Sequence, residues 1–343
     1  MTDALTPALT QAQSQALMQA LKSALNAIPE SAPVAVALSG GADSAAMAIA
    51  AARVCQAVSR PLHFFHVHHG LFAQADVWVE QVRALADLLN TPLLVEYVEV
   101  AQDSGLGIEG AARESRYAAL IAMAEKQQTQ ALLLAHHRQD QAETVLLRLL
   151  RGAGVQGLAA MQADIERQGL RMLRPFLDID RDDLLAFVAA FTQQTGWLPV
   201  QDPSNTDPKY ARGAFRSGLI PVLQAHWPAW QQTLTRHARH AAETVEILEE
   251  VAASDLAALD PDPLDQSFSL KLWRELTHAR QALVLRYWLQ QQGIAMPGDR
   301  RLADLLRQLR QLHALGHDRD LLWQHGQTEL RCRQGRVLLA AAQ

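Results

Sequence analysis

Cysteine is nearly absent: the 343-residue chain holds only Cys55 and Cys332. They lie far apart and gather no ligand cluster, which excludes a cysteine-held zinc or iron–sulfur site and suits a reducing compartment. Long apolar runs are missing too. No stretch reaches about 18 apolar residues, and no basic-then-apolar leader opens the chain, so a soluble, cytoplasmic protein without a membrane partner is expected. Lysine is scarce, four of 31 basic residues (Lys22, Lys126, Lys209, Lys271). A net charge of −5 excludes a uniformly basic nucleic-acid binder but leaves room for a local basic patch. There is no internal repeat and no G-x-x-x-x-G-K-[ST] loop. The remainder is ordinary globular material, 49% hydrophobic and 20% charged, long enough for about two domains.

The chain is organised around Pro33 to Ser44, PVAVALSGGADS. Val34 to Leu38 is a continuous apolar run of strand length, expected of a strand buried on both faces. The Ala-rich stretch from Ala45 to Val58 suits a helix. Gly40 and Gly41 therefore sit at a strand-to-helix turn, where backbone N–H groups approach a ligand unobstructed and the helix dipole favours an anion. Asp43 in that turn suggests Mg²⁺ alongside, because a carboxylate facing phosphate needs a cation between them.

Elsewhere apolar strands alternate with helical spacing. Strands are expected at Leu62–Val67, Pro92–Val98 and Ala131–Ala135, with helices at 10–28, 74–90, Gly107–Gln127, Gln141–Arg151 and Asp180–Thr195. This order implies an α/β domain with a doubly wound parallel sheet, whose ligands collect at the carboxyl ends of strands. The Ser39 loop, His66–Gly70 and His136–Asp140 all fall there. From about Ala211 the pattern is helical, including a long segment at Trp230–Leu259. A break at Asp260-Pro261-Asp262-Pro263 and a closing strand pair around Gly335 follow. The expected division is a catalytic domain at 1–215 and a mostly helical domain at 216–343.

Asp140 and Glu143 lie three apart at a helix start, so both carboxylates share one face. They suit dipole compensation, a cationic substrate or a second metal-bound group. His66 and His68 share a side of their strand without a third ligand, which favours polar contacts to a nucleotide over a metal. On the helix carrying Glu109, Arg113, Arg116 and Tyr117, Arg113 is the best candidate for a phosphate or substrate contact. Residues 201–240 hold Lys209, Arg212, Arg216, Arg236 and Arg239 against Asp202 and Asp207, which suits either a nucleic-acid surface or a solvated helix face.

The segment Ser39-Gly40-Gly41-Ala42-Asp43-Ser44 resembles the PP-loop of the ATP pyrophosphatases. That likeness implies a grip on the pyrophosphate of ATP and attack at its α-phosphorus. Further motifs follow in order: His66-Val67-His68-His69-Gly70, Arg113-x-x-Arg116-Tyr117, His136-His137-x-x-Asp140-Gln141-x-Glu143, Arg174-Pro175-Phe176, Asp202-Pro203-Ser204-Asn205 and Arg212-x₃-Arg216. Together they resemble the tRNA(Ile)-lysidine synthetase family. The resemblance implies ATP and Mg²⁺, the isoleucine tRNA with a CAU anticodon, and free L-lysine. It leaves a homodimer open. It implies nucleotide contacts from Ser39 to Ser44, His66, His68 and His136, and catalytic roles for Asp43, Arg113, His137, Asp140 and Glu143. Asp140 and Glu143 would hold lysine, and Arg174, Lys209, Arg212, Arg216 and Arg236 the tRNA. Gln139 stands where the family usually has an acid, and Gly213 where it has asparagine. These departures motivate the competing reading of a tRNA-binding protein with a decayed catalytic site. Another PP-loop tRNA-modifying enzyme is the second alternative, and the shortage of cysteine disfavours a thiolase. Longer members carry a further C-terminal domain, so fewer contacts to the anticodon stem are expected here.

Overall fold

The computed structural model describes residues 11–70, 74–99, 107–202, 209, 211–312, 321–326 and 328–341. Two compact units, Met1–Arg239 and His240–Gln343, divide within one long helix.

In the first unit, helix α1 (Gln11–Leu25) turns Leu17, Leu21 and Leu25 inward. Then come β1 (Val34–Ala37), α2 (Ala42–Ala57), β2 (Leu62–His68), α3 (Ala75–Leu88), β3 (Leu93–Tyr97), α4 (Gly107–Lys126), β4 (Ala131–Leu133) and α5 (Arg138–Leu150). The sheet order is β3-β2-β1-β4, followed by β6 (Leu170–Leu173) and β5 (Asp164–Arg167). β1 lies parallel to both β2 and β4, with Val34 facing Leu62 on one side and Ala131 on the other. The chain leaves β1 in one direction and returns to its other side at β4. The switch point of the sheet therefore lies at the carboxyl ends of β1 and β4.

Both faces of the sheet are covered, which is why its strands read as continuous apolar runs. Val34 and Val36 pack with α1, α2 and α7 (Arg181–Thr195), through Met47, Ile49, Leu184 and Phe187. Ala35 packs on the other face with Tyr117, Leu120 and Ile121 of α4. The hairpin of β5 and β6, turning at Gln168 and Gly169 with φ of 50° and 79°, adds an antiparallel edge to the expected parallel sheet. Its alternation is too short to stand out as strand.

After α6 (Val155–Leu158), α7 and α8 (Ala211–Ala214), a π-helical turn at Phe215–Leu219 carries Arg216, and α9 (Ile220–His226) continues from it. Helix α10 (Trp230–Ala258) spans the division. The second unit holds β7 (Phe268–Ser269), α11 (Leu270–Glu275), α12 (His278–Gln291), α13 (Asp299–Gln311), β8 (Leu321–His325), β9 (Thr328–Arg333) and β10 (Arg336–Ala341). The expected pair around Gly335 is β9 and β10, inside an antiparallel sheet of order β7-β10-β9-β8. Leu302, Leu305, Leu306 and Leu309 of α13 form the stripe that packs with Trp273, Trp288, Leu330 and Val337.

Candidate active site

The turn after β1 builds the cradle from backbone. Gly40 has φ of +91°, and a Cβ there would lie 2.7 Å from Val200 Cγ2 and 2.9 Å from Val82 Cγ2. The Val200 N–H donates to the Gly40 carbonyl at 2.9 Å. Only glycine fits that close approach. Gly41 begins α2 with no side-chain cap among the described residues, which leaves the first-turn N–H groups uncapped where Gly41, Asp43 and Ser44 line the cleft. Ser44 Oγ bonds the Gly41 carbonyl at 2.9 Å and lies 3.0 Å from Ser39 Oγ, which closes the turn on itself. A cleft of about 380 Å³ opens here. Ser39, Asp43, Ser44, His66, His68, His69, Arg116, Tyr117, His136 and Asp202 line it. The three segments expected at the strand ends do converge.

His137 joins the cradle to the carboxylate pair. It begins α5, its Nδ1 accepting the Asp140 N–H at 3.4 Å while its own N–H donates to Asp140 Oδ2 at 3.2 Å. That arrangement places the ring proton on Nε2, which lies 3.3 Å from Asp140 Oδ2 and 3.7 Å from Asp43 Oδ2. Asp43 also meets Arg181 Nε at 3.3 Å. Burial raises the Asp43 pKa, but His137 and Arg181 outweigh it and hold the carboxyl below its ordinary range.

Glu143 is fully buried and takes two bonds from Arg216, Nε to Oε1 at 2.9 Å and Nη2 to Oε2 at 3.1 Å. Arg216 Nη2 also reaches Asp140 Oδ1 at 3.3 Å, and Gln139 Nε2 donates to Glu143 Oε1 at 2.9 Å. Burial works against the Arg216 charge, but Glu143, Asp140 and Asp43 hold it more firmly protonated than usual. Arg216 thus turns inward in this structure. Two carboxylates share one guanidinium, which leaves a negative charge for a second cation.

On the far side of the cleft the balance is reversed. Arg113 Nη2 lies 3.4 Å from the Tyr117 hydroxyl, and Arg113, Arg116 and Arg167 all lie over the Tyr117 ring. Arg174 is buried, with Nη1 on the Gln162 carbonyl at 2.7 Å and Nε without a hydrogen-bond partner among the described residues. Arg212 reaches Thr144 Oγ1 at 3.3 Å, while Lys209 and Arg236 are exposed. Burial, reinforced by Arg174, Arg116, Arg212 and Arg113, holds the His136 pKa well below its ordinary value. His69 is pushed down to about 4 by burial, Arg116, His66 and His68. His66 is lowered too, mainly by burial, and its Nδ1 donates to the Leu38 carbonyl at 2.8 Å, leaving Nε2 as an acceptor toward the cleft. His68 faces Asp76 at 3.2 Å. Pro203, Ser204 and Asn205, and the side chain of Glu109, lie outside the described residues.

A pH dependence follows. Below their ordinary value of 6.5, imidazoles of the unfolded chain take up protons that His66, His69 and His136 refuse in the fold. Asp43 acts in the same direction at lower pH. The unfolded state then binds more protons, so stability falls as pH falls. After solvent screening, His69 alone carries about 2 kcal/mol, or roughly 4–8 °C in Tm between pH 7 and 4.5. Thermal melts of wild type and His69→Gln over that range check it. The variant's slope should be shallower, and a steeper one would contradict the assignment.

One site residue escaped the sequence reading: Arg181, which lies 138 positions from Asp43. Gln139, read from sequence as a departure, is a partner of Glu143. Arg181 left one local sign: it is a cation opening a helix, where the dipole favours acids.

Residues 10–223 match the PP-loop domain family, and residues 268–338 match the TilS substrate binding domain. The chain is 55% identical over 309 residues to the tRNA(Ile)-lysidine synthase of Bordetella pertussis, covering 90% of this chain and 96% of that one. The counterpart from Bordetella parapertussis is also 55% identical, with 90% of each chain covered. Among solved structures, the U34-tRNA thiolase NcsA from Methanococcus maripaludis shares the fold at a TM-score of 0.55 and 15% identity, covering 68% of this chain and 81% of that one. With a glycine-lined cradle at the switch point and relatives this similar over nearly its whole length, the chain belongs to the tRNA(Ile)-lysidine synthase family.

Proposed function

We propose that this protein ligates free lysine to C2 of the wobble cytidine in the CAU-anticodon isoleucine tRNA, splitting ATP to AMP and pyrophosphate. The observation that carries the reading is an anion cradle and an acidic pair joined by one histidine, Asp43–His137–Asp140, in a single site. The cytidine C2 is a poor electrophile until its oxygen is adenylated. That oxygen attacks the α-phosphorus, and pyrophosphate departs against the N–H groups of the cradle. The lysine ε-amine then attacks C2, and AMP leaves.

The amine has an ordinary pKa near 10.4 and must lose a proton first. Asp140 and Glu143 suit that work, because they attract the ammonium through the charge Arg216 leaves unbalanced and can accept its proton. His66 and His136, held neutral, serve as polar contacts to the nucleotide. Arg113 is assigned the contact to the reacting phosphate, supported by its place beside Tyr117, which lines the cleft with Arg116. Among the described residues no three His, Cys, Asp or Glu side chains gather as a metal cage. Asp43, partly exposed where it lines the cleft, would hold a Mg²⁺ ion, which would neutralise charge on the departing group.

Residues 1–215 are assigned to catalysis and 216–343 to holding tRNA. Exposed Lys209 and Arg236 are backbone contacts, joined by Arg212; Arg174 and Arg216 reach tRNA only if they leave their present partners. The cytidine unstacks to enter the cleft, as bases undergoing chemistry do. The cytoplasm holds all three substrates. Incubation with labelled lysine, ATP and unmodified tRNA tests the reading. Label should enter tRNA with AMP as product, whereas tRNA binding without incorporation, or ADP as product, would overturn it.

A further inference from the structure

The PP-loop carries no cation of its own: from Ser39 to Ser44 there is neither lysine nor arginine. A departing pyrophosphate gathers several negative charges, and backbone N–H groups supply only partial positive charge against them. Arg181 brings a guanidinium to this place from another element. Its Nε lies 3.3 Å from Asp43 Oδ1; Asp43 lines the cleft, and the Arg181 side chain beside it is 37% exposed.

The base of Arg181 is held firmly. It is the first residue of α7, whose Leu184, Phe187 and Val188 pack against α2, the helix that the cradle opens. Just before it, Asp180 pairs with Arg138 of α5, and the Arg138 N–H bonds the Ile179 carbonyl at 3.0 Å. The head, by contrast, has a single long contact among the described residues. An ion pair this exposed is worth little and exchanges readily. A phosphate oxygen pair offers the guanidinium fork more charge and a better geometric match than one carboxylate oxygen does.

We propose that Arg181 is a ligand of the pyrophosphate moiety. It leaves Asp43 when ATP enters the cradle, and it stabilises the charge that builds on the phosphates as the bond to the α-phosphorus breaks. This rests on reading the cradle as the ATP site. It also gives Asp43 two states, paired with Arg181 when the cradle is empty and released once phosphate takes the guanidinium.

Equilibrium competition against a fluorescent ATP analogue tests this without turnover, using AMP and pyrophosphate as separate competitors. Arg181→Gln should weaken pyrophosphate about 10- to 30-fold and leave AMP within about twofold. Arg181→Lys, which keeps the charge but not the fork, should fall between. The Arg181→Gln loss should persist when Asp43 is already asparagine. Unchanged pyrophosphate affinity would overturn the proposal. So would an effect that vanishes in the Asp43→Asn background, since Arg181 would then only position Asp43. Wild-type protein that binds neither competitor would overturn the reading of the cradle itself.

Discussion

Asp43→Ala is expected to reduce tRNA-dependent lysine incorporation by about a thousand-fold or more, with tRNA affinity nearly unchanged. Asp43 is the carboxylate in the first turn of α2, at the mouth of the cradle, and the Arg181 guanidinium and the His137 imidazole are both arranged around it. Its removal takes the carboxylate from the cradle's own turn and leaves Asp140 as the carboxylate paired with His137 among the described residues. Losing one electrostatic participant of this kind commonly costs a hundred- to a thousand-fold, and Asp43 serves both the cradle and the histidine link. Single-turnover pyrophosphate release should fall as far as lysine incorporation does, which locates the defect in adenylation. A variant that keeps full activity would remove the PP-loop assignment.

The second large effect is expected at Glu143. Its side chain is fully buried and accepts two bonds from Arg216 and one from Gln139. Glu143→Ala leaves the Arg216 fork with one contact at 3.3 Å to Asp140. Breaking a buried pair from one side typically costs about 3 kcal/mol, so Tm should drop measurably. The chemical effect is separate. Arg216 would then neutralise Asp140, no net negative charge would remain for the ammonium, and KM for lysine should rise about a hundred-fold. tRNA binding should stay near normal. Glu143→Gln keeps the volume and a bond to Arg216 without the charge, so it should restore much of the stability but little of the lysine affinity. A KM within about twofold of wild type in both variants would show that lysine binds elsewhere.

Gln139 enters the same account. As an amide it donates to Glu143, whereas an acid would repel it. The substitution that suggested decay from sequence alone is built into a complete hydrogen-bond set. The relatives at 55% identity are consistent with a working enzyme rather than a decayed one.

The sequence by itself determined what depends on neighbours along the chain. An apolar run, two glycines and an alanine-rich helix define the cradle because strand, turn and helix follow directly on one another. The spacing of Asp140 and Glu143 puts both acids on one face of α5 by helical geometry alone. Strands alternating with helices called for the parallel sheet and its switch point. Only the tertiary structure decided which cations meet those acids. Arg181 reaches Asp43 across 138 residues because α7 packs on α2, and Arg216 reaches Glu143 across 73. The short antiparallel edge of β5 and the strands β7 and β8 were likewise settled by pairing with distant partners. Each of these contacts is formed by burying apolar surface elsewhere, and no local pattern records where a charged side chain carried on that surface will come to rest.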